Sequence, residues 1–274
     1  MSRPMSDTVF FDDFTSRDLD RSVWNVRITG ATVNNEQQAY VDSPETIGVD
    51  SDGKSGDAHG VLAIQPRFRP GFRTPEGDTF DFISGRLDTK ENLHFTYGTV
   101  EARIALSCGS GLWPAFWVLG ADAQWPDCGE IDIMENVGEP DWVSAALHGP
   151  GYAGEMALTN RLYFPPGDDA ARWHVYSVDW SPESILFRVD GRMLYRVSRA
   201  MVEFHGPWVY DREKYLILNF ALGGTFPFKT NGVHQPYRGL PEETVTHIKA
   251  DGVRMLVDWV RVTKTRFWRR SRVV

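Results

Sequence analysis

Cysteine is scarce. Only Cys108 and Cys128 occur among 274 residues, which excludes a disulfide-stapled scaffold and a CxxC metal site. No run of about 18 apolar residues is present, so no membrane-spanning helix and no membrane partner are expected. The opening stretch MSRPMSDTVFFDDF has no apolar signal region. Either the chain is cytoplasmic, or its export signal lies outside this sequence. Positive charge is in deficit, 29 Lys and Arg against 37 Asp and Glu, for a net −8. That disfavours nucleic acid as a partner and suits a neutral or cationic ligand. Helical periodicity is nearly absent, with short helices expected only at 199–204 and 241–247. There is no internal repeat and no low-complexity linker.

What is present is a succession of short apolar strands bounded by Gly, Pro, Asp and Asn. This pattern predicts an all-β sandwich or barrel of antiparallel strands. Strands are expected at 9–14, 23–28, 60–66, 82–87, 97–106, 112–119, 143–148, 172–180, 185–189, 193–197, 215–222 and 253–262. Residues 67–81 read as a long surface loop and 223–250 as a long irregular stretch. One catalytic domain is expected over 9–264, between an N-terminal segment 1–8 and a basic tail 265–274. Cys108 and Cys128 fall at opposite ends of a strand about 20 Å long. A disulfide needs Cα atoms within about 7 Å, so both thiols should be free.

The most informative stretch is GEIDIMEN, residues 129–136. Strand side chains alternate, so Glu130 and Asp132 share a face while Glu135 should point the other way. A buried unpaired carboxylate is costly. One extra residue at Ile133 or Met134, a β-bulge, would return all three acids to one open face. Two carboxyl groups facing one cleft fit glycoside hydrolysis; the retaining version needs them about 5–5.5 Å apart. Backbone spacing alone separates Glu130 and Glu135 by about 13 Å, so their side chains must lean together. Crowded acids drive their pKa values apart and keep one protonated. A metal site and a solvated acidic strand remain open on spacing alone.

In LWPAFWVL, Leu112, Phe116 and Val118 share one face and Trp113, Ala115 and Trp117 the other. If the first set joins Ile131 and Ile133 in the core, both Trp side chains face the acids. Asn219 interrupts the apolar run YLILNFAL, and it either bonds structurally or faces the cleft.

These motifs resemble glycoside hydrolase family 16. GEIDIME follows GLWPAFWVLG and WPDC and precedes HGPGY. NNEQQAYVDSPE, SGRLDTK, YGTVEARI, WHVYSVDWSPESILFRVDG, LILNFALGG and LVDWVRV extend the likeness across nearly the whole chain. The nearest likeness is to laminarinase-type endo-β-1,3-glucanases, because the chain carries the bulged E-x-D-x-x-E form. The resemblance implies a β-jelly-roll sandwich of two curved antiparallel sheets with a concave glycan-binding cleft. It implies Glu130 as nucleophile, Glu135 as acid/base and Asp132 as assistant, with no cofactor required for the chemistry. It also implies Trp113 and Trp117 stacking on sugars, Asn34, Glu36 and Arg86 binding hydroxyls, and Trp125 and His148 beside the acids. His148 would tune Glu135 or contact the next sugar. A structural Ca²⁺ would use Asp13, the Gly60 carbonyl and Asp258. The expected partner is a β-glucan, the expected state a monomer, and the expected location extracellular or periplasmic. A mixed-linkage glucanase, an agar or carrageenan hydrolase, a transglycosylase and a non-catalytic glucan-binding protein are the alternatives. The segment 225–252 and the loop 66–81 depart from the family pattern.

Overall fold

The computed structural model describes residues 7–16, 18–30, 33–51 and 60–264. The expected N-terminal segment lies outside these residues up to position 6, and the basic tail lies entirely outside them.

Two large antiparallel sheets face each other. In spatial order the outer sheet runs Arg192–Ser198, Ser184–Val189, His174–Trp180, Gly98–Leu106, Met255–Lys264, Gly60–Ile64 and Ile47–Ser51, with Asp7–Asp12 also paired to Met255–Lys264. The cleft sheet runs Leu158–Tyr163, Trp142–His148, Glu130–Glu135, Leu112–Gly120, Lys214–Leu222, Arg86–Asp88 and Asn25–Val26. This is the expected β-jelly-roll sandwich. The core lies between the sheets because strand alternation sends one face of each inward. Val100, Ala102, Ile104 and Leu106 meet Leu112, Phe116, Val118, Ile131 and Ile133 there. Trp113 and Trp117, on the opposite face of their strand, remain half-buried.

Lys214–Leu222 is buried along its whole length. A third, smaller sheet explains part of this. Gln38–Tyr40 pairs in parallel with Thr79–Ser84, which pairs antiparallel with Arg67–Arg73. Tyr40 reaches Asn219 from this layer.

Three expectations need correction. Residues 67–81 are largely a hairpin, not a loop. Phe68 faces Phe82 and Phe72 faces Phe80 across the ladder, and such aromatic pairs hold strands together. The register shift between them accommodates Pro70 and Gly71. Second, the strand expected at 82–87 is two strands in different sheets. It breaks at Gly85, where an added Cβ would meet Ile47 at 2.5 Å. Third, 223–250 is not wholly irregular: a helix forms at Thr225–Asn231, while the short helix expected at 241–247 is present as Glu242–Lys249. The short helix expected at 199–204 is present as Arg199–His205, its Ser198 side chain accepting from the Met201 amide. Both cysteines are free.

Candidate active site

The strand Glu130–Glu135 carries the predicted bulge. Against Leu112–Gly120, Phe116 pairs with Met134 and Trp117 with Asp132, leaving Ile133 as the extra residue. The register against Trp142–His148 shifts between Asp132 and Glu135 as well. Ile131, Ile133 and Met134 are all buried in the core. The bulge therefore lets three apolar side chains point inward while Glu130, Asp132 and Glu135 share the cleft face.

Each acid has its own surroundings. Trp125 Nε1 donates to Glu130 Oε2 at 3.0 Å. Trp113 Nε1 donates to Glu135 Oε1 at 3.0 Å. His148 Nε2 lies 3.1 Å from Asp132 Oδ2 and 3.7 Å from Glu130 Oε1. The approach to Asp132 is off line for a hydrogen bond, and Oδ2 has no other partner. The Gly154 amide donates to His148 Nδ1 at 3.0 Å. That contact needs a free lone pair on Nδ1, so a neutral ring carries its proton on Nε2, facing the acids.

Burial pushes all three carboxyls above the usual carboxylate range. For Glu130 the burial effect comes first and the Asp132 charge second, and the shift is large. For Asp132 burial again leads, then the Glu135 charge. For Glu135 burial leads and the Trp113 hydrogen bond opposes it. The nearness of the Glu130 and Asp132 carboxyls raises the proton affinity of Glu130 and lowers that of Asp132. The net shifts all favour the protonated form, the direction that acid–base work by a carboxyl requires. His148 sits against Glu130 and Asp132, and its ring also lowers the Glu135 value.

The expected sugar-binding residues form one connected patch. Trp117 Nε1 donates to Asn219 Oδ1 at 2.7 Å, and Asn219 Nδ2 donates to the Tyr40 hydroxyl at 3.0 Å. Of the two readings of Asn219, structural bonding is present, and one of its partners is Trp117 on the cleft face. Tyr40 and Gln38 reach Glu36 Oε2, at 3.4 and 2.8 Å. Burial raises the Glu36 pKa, opposed by Gln38, Arg86, Asn34 and Tyr40. The Arg86 guanidinium lies 5.1 Å from the centre of the Trp117 ring. Asn34 adopts a left-handed conformation with φ 53°, which Asn tolerates better than most residues. Its carbonyl accepts from the Thr225 amide and hydroxyl, tying it to the helix Thr225–Asn231.

Sequence reasoning missed Gln38 and Tyr40 as part of this patch. In NNEQQAY they alternate with Glu36, so a strand reading would have put all three on one face. It also missed Phe226, whose ring packs edge-on against Trp113 at 5.6 Å. That contact comes from the divergent segment, and no local pattern announces it.

Two metal sets merit a fit test. Glu130, Asp132 and His148 have ligand atoms all within 4.8 Å of one another, but the proton that a neutral His148 carries on Nε2 leaves no lone pair there for an ion. At the other sheet, Phe14 abuts Gly60, and Asp7–Asp12 runs beside Met255–Lys264, so Asp13, Gly60 and Asp258 fall in one corner. Three oxygen donors suit Ca²⁺ in type. Asp258 Oδ2, however, already accepts from Arg103 at 2.6 Å.

Known proteins share this architecture. The chain is 33% identical over 241 residues to glucan endo-1,3-beta-glucosidase A1 of Niallia circulans, covering 80% of this chain and 34% of that protein. The chain thus spans about a third of that relative's length. The endo-beta-1,3-glucanase of Pyrococcus furiosus superposes with TM-score 0.79 at 32% identity, covering 94% of each chain. The catalytic domain of an endo-1,3-beta-glucanase (laminarinase) from Thermotoga petrophila gives TM-score 0.80 at 30% identity, over 96% of this chain and 100% of that one. Residues 31–217 match the profile of glycosyl hydrolases family 16, and the chain belongs to that family.

Proposed function

We propose that this protein is an endo-acting, retaining glycoside hydrolase that cleaves β-1,3-glucan. One observation carries the reading: a bulge at Ile133 gathers Glu130, Asp132 and Glu135 on one cleft face, where burial raises the proton affinity of each. Glu130 attacks the anomeric carbon while Glu135 protonates the departing glycosidic oxygen. Glu135, now a carboxylate, then takes a proton from the water that hydrolyses the glycosyl ester on Glu130. Asp132 assists by hydrogen-bonding Glu130 and sharing out the charge during the attack. The Trp125 indole N–H stabilises that carboxylate.

No cofactor is needed for this chemistry. Trp113 and Trp117 offer apolar ring surface for pyranose faces. Asn34, Glu36, Arg86 and Asn219 offer hydrogen bonds to hydroxyls, and His148 and Trp125 flank the reacting sugar. The catalytic unit covers 9–264, acts as a monomer outside the cytoplasm, and binds neither nucleic acid nor membrane. A structural Ca²⁺ at Asp13, Gly60 and Asp258 requires Arg103 to release Asp258. Addition of calcium should then raise the melting temperature and a chelator should reverse it. A melting temperature indifferent to both would remove the metal.

The test of function is product analysis on laminarin, lichenan, agarose and carrageenan, with Glu130→Ala and Glu135→Ala alongside. Oligosaccharides of mixed length from laminarin are expected, and each substitution should lower the rate by at least about 10³-fold. Release from lichenan alone would favour the mixed-linkage reading. Release from agarose or carrageenan alone would favour a galactan. No release from any of them would leave only glucan binding.

A further inference from the structure

Lys214 is the one lysine among the largest fully buried side chains of the described residues. It opens the strand Lys214–Leu222 and lies beneath the start of the acid strand. Its Nζ donates to the Cys128 carbonyl at 2.9 Å and to the Gly129 carbonyl at 3.1 Å. These are the two residues that immediately precede Glu130. The ammonium also lies 5.4 Å from the Tyr210 ring centre and 5.8 Å from that of Trp180.

Tyr210 extends the link. Its hydroxyl donates to the His148 carbonyl at 3.0 Å, and Trp180 Nε1 donates to the Tyr210 carbonyl at 2.9 Å. His148 and Glu130 are cross-strand partners. One buried cation therefore braces the backbone from which Glu130 projects and, through Tyr210, the backbone from which His148 projects. Gly129 completes the fit. It has φ +70°, and a Cβ there would meet Lys214 Nζ at 3.0 Å and Val209 Cγ2 at 2.8 Å.

A buried lysine is expensive in an apolar core. Apolar contacts would hold this strand more cheaply, so the charge invites a role beyond packing. Burial draws its pKa down to about 8, while Cys128, Asp122 and Glu130 pull it up and Arg212 pulls it down. It therefore remains largely cationic at neutral pH.

We propose that Lys214 is a positioning residue for the nucleophile: it clamps the Cys128 and Gly129 carbonyls to fix Glu130, and its charge favours the ionised form of Glu130 over proton sharing with Asp132. This rests on Glu130 being the nucleophile. It assigns Lys214 no contact with substrate.

Lys214→Met keeps most of the length of the side chain and removes both hydrogen bonds and the charge. It is measured with a dinitrophenyl β-laminaribioside, whose leaving group departs without a proton and so reports on Glu130 rather than Glu135. The expected result is a kcat at least about tenfold lower, with KM within about twofold. The acid limb of the pH profile should move to higher pH, because without the cation Glu130 is harder to ionise. A purely structural lysine would leave that limb in place. Wild-type kcat, or a lowered kcat with an unmoved acid limb, overturns the proposal. If Lys214→Met does not fold, as judged by circular dichroism and melting, Lys214→Gln is measured in the same way. It keeps a donor and loses the charge, and an acid limb that stays in place overturns the proposal again. The nucleophile reading is tested separately, by azide rescue of Glu130→Ala to an α-glycosyl azide. Its failure would sink that reading whatever the Lys214 variants do.

Discussion

Asn219→Ala tests how the cleft floor holds its aromatic platform. Asn219 is 7% exposed and joins two partners. It accepts from Trp117 Nε1 at 2.7 Å and donates to the Tyr40 hydroxyl at 3.0 Å. Each such bond contributes roughly 1 kcal/mol net, and stranding a buried partner costs roughly 1–3 kcal/mol. Tyr40 is buried and keeps only its long 3.4 Å bond to Glu36, whereas water can reach the half-buried Trp117. The loss should therefore be roughly 2–4 kcal/mol. At about 2–4 °C per kcal/mol for a domain of this size, the melting temperature should fall by roughly 4–16 °C. Differential scanning calorimetry reads the fall, and steady-state kinetics on laminarin should show KM rising as Trp117 loses its anchor. In a Trp117→Phe background the same change should cost less, since the indole donor is already gone, and the cycle isolates the Trp117–Asn219 coupling. A fall of less than about 2 °C with unchanged KM would refute the idea that this network orders the platform.

Trp113→Phe keeps an aromatic ring and removes the donor to Glu135. That hydrogen bond lowers the pKa of the acid, so its loss should move the alkaline limb of kcat/KM to higher pH. An unmoved or lowered limb would contradict this. Asp132→Asn should uncouple stability from activity. The acids have raised pKa values when folded, so they add stability while protonated, below their unfolded values near 4. That stability is lost as pH rises through the folded values. Melting temperatures taken from pH 4 upward should show the variant gaining on wild type as pH increases, while its turnover falls. A constant difference would refute the linkage. Phe116→Ala, at a fully buried position on the strand paired with the acid strand, should cost about 3–5 kcal/mol in urea unfolding; a cost below about 1 kcal/mol would show that the two sheets repack.

Much of this site was legible because burial enforces the pattern. A regular strand would have placed Glu135 among Ile131 and Phe116, so the five-residue spacing required an extra residue, and Ile133 is that residue. The same alternation put Trp113 and Trp117 beside the acids. The hairpin across 67–84 was hidden by Pro70, Gly71 and its arginines, because its Phe–Phe pairing is visible only once register is known. Lys214 was hidden for a related reason. At the head of an apolar run it reads as a solvated strand end, and only the approach of the Cys128–Gly129 turn gives its ammonium partners. Phe226 reaches Trp113 from the divergent segment, and nothing local in its sequence records the distance it closes.

The most direct test of the account is the anomeric configuration of the first product. Proton NMR during the opening minutes of laminarin hydrolysis, before mutarotation, should show the β anomer first. An α anomer appearing first would mean direct attack by water, and Glu130 would not be the nucleophile.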